Sequence, residues 1–255
     1  MHSEIPGIVT AVALFLLLEP AVIFLNFAPW FLNPNHPTPP RPERFFQASI
    51  HSFLAMVVTG AILTTFFSGI DYAHTPLIDW YGYNNICIVF DTKPSTYISP
   101  VYWFFVGYLL VRYAIEDTKR VVQLTGIGPA VKAISYAANV ILVLVAAFFS
   151  LCLAIGPGDN MIAHTVPFVA LVLAFPFVFV MHCLQCEERS NWYVTAVTAF
   201  VVLSLLNAAF ISIALITHAH LPVSIAQTVD ILWLLFAIPA PFLMPPPKLT
   251  SAGAA

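Results

Sequence analysis

The chain has 255 residues, of which 60% are hydrophobic and only 8% charged, and its formal net charge is −3. Soluble domains carry about a quarter charged residues, so this composition cannot make a water-facing surface, and without a basic face it excludes nucleic acid as a partner. Four scattered cysteines (Cys87, Cys152, Cys183, Cys186) do not make a disulfide scaffold, and a mean hydropathy of +0.90 places the chain among polytopic membrane proteins.

In chain order, the first apolar segment runs from residue 7 to 32 and carries Glu19 and Pro20 near its middle. Its leader, MHSEIPG, lacks the basic start of a secretory signal, so the segment reads as a retained span. The proline-rich stretch NPNHPTPPRPER ends it, because proline has no amide to donate and disfavours helix before it. Further spans are expected at about 46–70, 99–116, 130–155, 162–183, 192–217 and 222–244. Each is long enough for a hydrocarbon core of about 30 Å. The fold expected is therefore all-α, a single seven-helix transmembrane domain over residues 1–255 with no second domain or internal repeat.

Between the second and third spans lies a long polar connection, Asp71 to Ile98, whose DWYGYNN stretch reads as an ordered lid on the outer surface, with a disordered loop as the alternative. The fifth span is the most telling. It has a histidine at each end, His164 and His182, 18 residues apart. At about 100° and 1.5 Å per residue, both lie on one helix face, about 27 Å apart. Phe175, Phe177 and Phe179 in the same span read as lipid-facing, with an aromatic cavity as the alternative. The positively charged residues settle the expected orientation. Arg41, Arg44, Arg112, Lys119, Arg120, Lys132, Arg189 and Lys248 fall on one side and only Lys93 on the other. The positive-inside rule then puts the N-terminus outside or lumenal and the C-terminus in the cytosol.

Sorting polar groups by depth gives the candidate site. Glu19, Asn139, Asn207 and Asp230 fall within the hydrocarbon. Intramembrane acids are rare, face inward, and are either neutral or paired. Glu19 and Asp230 are accordingly the candidate catalytic pair, general acid and base, expected to line one cavity between the first, sixth and seventh spans. Asn207, Asn139, His164, His218 and Asp71 are the candidates for binding or orienting a substrate.

His218 and His220, two apart, diverge by about 200° on a helix, and no HxxxH occurs, so no metal is expected at the outer histidines. No cofactor is expected either. Cys183 and Cys186 read as free thiols or a palmitoylation site. There is no lysine in the last span, no GxSxG, no HExxH, no Walker loop and no aspartate-rich prenyl-diphosphate motif.

The function expected is that of an integral membrane enzyme of an internal membrane such as the endoplasmic reticulum. It would act on a membrane lipid or small apolar isoprenoid by acid–base cyclisation or isomerisation. The alternatives are an accessory subunit bound to membrane protein partners, and a seven-span transporter or receptor.

Overall fold

The computed structural model describes residues 4–124, 126–186, 190–218 and 222–237, and among these every regular element is helical. Six helices are long and apolar enough to cross a membrane: α1 (Glu4–Leu32), α2 (Pro42–Phe67), α5 (Ser95–Gln123), α6 (Pro129–Ala154), α7 (Met161–Gln185) and α8 (Asn191–Thr217). They mark the chain as a multi-pass membrane protein. Two short helices, α3 (Pro76–Tyr81) and α4 (Ile88–Asp91), form the connection between α2 and α5, so that stretch is a folded lid. A shorter apolar helix, α9 (Val223–Ala237), follows α8. The rest of the expected seventh span, with His220, Arg189 and Lys248, lies outside the described residues.

Local chemistry explains the boundaries. Proline opens α2, α3 and α6, where its missing amide costs nothing. Thr75, Asn160 and Ser190 cap α3, α7 and α8 by accepting the backbone N–H three residues on. Gly82, at φ 78°, closes α3 in the left-handed region that glycine enters at little cost.

Helix α5 runs further than expected, to Gln123 rather than 116. The charged run Glu116, Asp117, Lys119, Arg120 suggests a loop. Instead it splits by helical periodicity: Asp117 and Arg120 turn inward while Lys119 is exposed.

The packing order follows the chain: α1 on α2, α2 on α5, α5 on α6, α6 on α7, α7 on α8, α8 on α9. Helix α7 is the most enclosed of the six. Phe46 of α2 meets Phe175 and Phe179 of α7, with ring centroids 5.9 and 5.4 Å apart. Phe179 then meets Phe200 of α8, which stacks on Trp233 of α9. Phe175 and Phe179 are thus core residues, correcting the lipid-facing expectation. A bilayer-exposed helix and an enclosed one are equally apolar, so composition does not separate them.

Alternating helix direction creates two ends. The lid end gathers the lid, the starts of α5, α7 and α9, and the ends of α2, α6 and α8. The basic end gathers the opposite termini.

Candidate functional site

Glu19 sits on α1 and is buried. One carboxyl oxygen accepts a 2.6 Å hydrogen bond from Ser52 Oγ of α2. The other, Oε2, is buried with no hydrogen-bond partner. Beside it lies an open groove of about 370 Å³ lined by Glu19, Phe15, Pro20, Ile23, Phe24, Phe31 and Phe105. The wall is four phenylalanines and two aliphatic residues, with the acid as its one titratable group. A second groove, of about 600 Å³, runs along the other flank of α1 against α2, and Asn26, Arg44 and His51 are its polar residues. Asn26 Nδ2 donates to Val22 O and is 2.9 Å from His51 Nδ1. Since that amide nitrogen can only donate, Nδ1 of the ring is the acceptor.

Asp230 is elsewhere. Its Oδ1 accepts from Asn207 Nδ2 of α8 at 3.2 Å, and Oδ2 accepts the backbone N–H of Ile86 in the lid at 3.3 Å. None of these groups is a partner of Glu19. The expectation that Glu19 and Asp230 line one cavity is therefore corrected: α1 packs on α2 and α5, while α9 packs on α8. Depth along a helix is legible in sequence, but which helices become neighbours is not. Asn207, read in the sequence as a substrate-orienting candidate, has Asp230 as its partner.

The remaining candidates disperse. Asn139 of α6 donates to Asp117 Oδ2 at 2.8 Å and to Thr118 Oγ1 at 3.1 Å, both on α5 at the basic end, far along the bundle from Asp230. Asp71 is an exposed lid residue. Its carboxyl is 2.7 Å from His74 Nδ1 and accepts the Ala73 N–H, which together hold it below the usual aspartate range. His218 caps α8 in the left-handed conformation, its ring 4.4 Å from that of Trp80. His164 leaves the outer histidines for a different set of partners.

Two polar clusters went unread. At the basic end, Arg120 donates to Glu43 of α2, to Asp117 and to Gln185 Oε1 of α7. Gln185 Nε2 reaches Ser135 of α6 at 3.1 Å. His182 Nε2 lies 3.2 Å from Glu43, and its Nδ1 is 2.9 Å from the Tyr193 hydroxyl of α8. Five helices are tied through charges that a hydropathy reading assigns to loops. The i, i+3 spacing of Asp117 and Arg120 was the available signal.

At the lid end, Cys87 of the lid, Cys152 of α6 and His164 of α7 bring their ligand-capable atoms within 4.8 Å of one another, all buried. Asp91, last residue of α4, places Oδ2 3.4 Å from His164 Nε2. Burial raises the Asp91 carboxyl to about 7, an effect that His164 partly offsets. The Cys87 thiol is also raised, by its hydrogen bond with Cys152 and by burial. No sequence spacing announces this set, because its members come from three distant segments. Cys183 and Cys186 are both buried, and Cys186 Sγ lies 3.9 Å from His182 Nδ1.

Compared with protein-family models, curated proteins and solved structures, the chain matches none.

Proposed function

We propose that the protein is an integral membrane enzyme that isomerises or cyclises an apolar isoprenoid or lipid chain, with Glu19 as its proton donor. The observation that carries this is the partnerless Glu19 Oε2 beside an open, phenylalanine-walled groove. A buried acid serving only as packing would use both oxygens, because an unmet polar group costs about 1–3 kcal/mol. The groove's chemistry fits a hydrocarbon, and its rings suit a cation.

In this reading, protonated Glu19 transfers its proton to one carbon of a substrate double bond. The other carbon becomes a carbocation facing the rings of Phe15, Phe24 and Phe105, where π electrons stabilise it. The carboxylate, held by Ser52, then removes a proton from a neighbouring carbon. A shifted double bond results, or a ring if a second double bond has first attacked the cation. The acid is regenerated, so no base beyond Glu19 is required. Asp230 is left the task of fastening the lid.

The same reading takes α9 as the start of a seventh span and places the N-terminus outside or lumenal and the C-terminus in the cytosol of an internal membrane. It is supported by the basic residues Arg41, Arg44, Lys119 and Lys132, which all fall at one end of the bundle.

The test is proton exchange. The purified protein in liposomes containing a polyunsaturated isoprenoid is incubated in D2O, and deuterium in the carbon skeleton is read by mass spectrometry. Wild type should incorporate it, Asp230→Asn should retain this, and Glu19→Gln should lose it by at least about a hundredfold. Incorporation by Glu19→Gln equal to wild type would remove the proposal.

A further inference from the structure

We infer that Cys87, Cys152, His164 and Asp91 form a four-ligand zinc site that clamps the lid to α6 and α7. The inference does not depend on the role of Glu19.

The ring orientation is fixed first. His164 Nδ1 lies 2.8 Å from the backbone carbonyl of Ile155. A carbonyl only accepts, so Nδ1 carries a proton and donates, and Nε2 is the nitrogen that would serve as the ligand atom. A backbone carbonyl on the far nitrogen is the usual orienting partner of a metal-bound histidine. Nε2 in turn faces Asp91 Oδ2 at 3.4 Å, and that oxygen is buried with no hydrogen-bond partner. Two acceptor lone pairs facing each other in a buried site repel unless a positive charge sits between them. A proton would suffice for that pair alone, but it would not account for two thiols converging on the same point. Cys152 Sγ is 3.8 and 3.9 Å from the two ring nitrogens, and Cys87 Sγ completes the group within 4.8 Å.

The distances suit zinc. Tetrahedral geometry with Zn–S of about 2.3 Å and Zn–N or Zn–O of about 2.0–2.1 Å sets ligand atoms about 3.3–3.8 Å apart. The separation of Nε2 from Asp91 Oδ2, 3.4 Å, falls in this range, and that of Nε2 from Cys152 Sγ, 3.9 Å, lies just beyond it, so the ligand atoms would draw in around the ion. Two thiolates, an imidazole and a carboxylate form a borderline-soft set that favours zinc over calcium or magnesium. Four protein ligands leave no open position, so the site is structural. Its ligands come from both ends of α4, the end of α6 and the start of α7. Binding energy gained there is spent on holding the lid down. Metal binding also reverses the local preference of Cys87 for its neutral thiol, since coordination deprotonates a thiol.

The test uses the full chain purified in detergent without chelator, loaded with zinc and dialysed. Wild type should keep about one zinc per chain by elemental analysis, and loading with Co2+ should give the visible bands of a tetrahedral site with thiolate ligands. Cys87→Ser, Cys152→Ser and Asp91→Asn should each weaken zinc retention by at least about tenfold. Wild type without retained zinc and without the cobalt bands overturns the site, and needs no variant to fold. A Cys87–Cys152 disulfide in the isolated protein overturns it as well, as does unchanged zinc in both serine variants.

Discussion

His164 and His182 stand 18 residues apart on one buried face of α7, exposed by 1% and 0%, and each ends in a different polar cluster. One faces the thiols and Asp91 at the lid end; the other faces Glu43 and Tyr193 at the basic end. The central helix is therefore anchored by polar contacts at both ends and by aromatic packing between them.

The basic-end cluster should behave as a unit. Arg120→Met leaves Glu43 and Asp117 buried without their shared cation, and breaking such a pair costs about 3–5 kcal/mol. A thermal unfolding series in detergent should show a large drop for Arg120→Met. Adding Glu43→Leu and Asp117→Leu to it should restore part of the loss, because the uncompensated charges are gone. If the triple variant is the least stable, the charge argument fails.

Asp230 should tolerate an amide but not an aliphatic replacement. Asp230→Asn keeps an oxygen to accept the Ile86 N–H, whereas Asp230→Leu strands that N–H and Asn207 Nδ2. Each stranded group costs about 1–3 kcal/mol. Limited proteolysis of the lid should be near wild type for the first and clearly faster for the second. Equal rates would separate Asp230 from lid stability.

Gly60 of α2 lies against the lid backbone, where a Cβ would overlap the carbonyl oxygen of Val89. Backbone cannot step aside as a flexible side chain does. Gly60→Ala should push α4 away at an overpacking cost of about 1–3 kcal/mol. Alkylation of Cys87, two residues before Val89, should then be roughly tenfold faster or more than in wild type. An unchanged rate would show that the lid absorbs a methyl group there.

Orientation is open to direct mapping. A cysteine placed at Gly126, in the α5–α6 connection, should react with an impermeant maleimide only from the cytosolic side. Reaction from the outside in sealed vesicles would invert the assignment.

How much of this was legible in the sequence depends on the kind of information required. Span positions were, because apolar length is a local property: residues 130–155 were expected and α6 is Pro129–Ala154. The shared face of His164 and His182 was legible for the same reason, being fixed by helical period alone. Neighbourhood was not. Glu19 and Asp230 have comparable depth yet belong to different helix pairs, and Cys87 meets Cys152 only because the lid folds back over α6. Arg120 was misassigned because its charge suggested a loop, although its spacing from Asp117 placed both on one helix face.

The Glu19–Ser52 hydrogen bond also bears on how the chain enters the bilayer. An α1 delivered alone would carry a bare acid into hydrocarbon, at a cost of a few kcal/mol. The hydroxyl that relieves it arrives only with the next helix, so the natural unit of insertion is the α1–α2 hairpin. A ribosome stalled short of Ser52 should therefore leave α1 more readily extracted from the membrane than one stalled beyond α2.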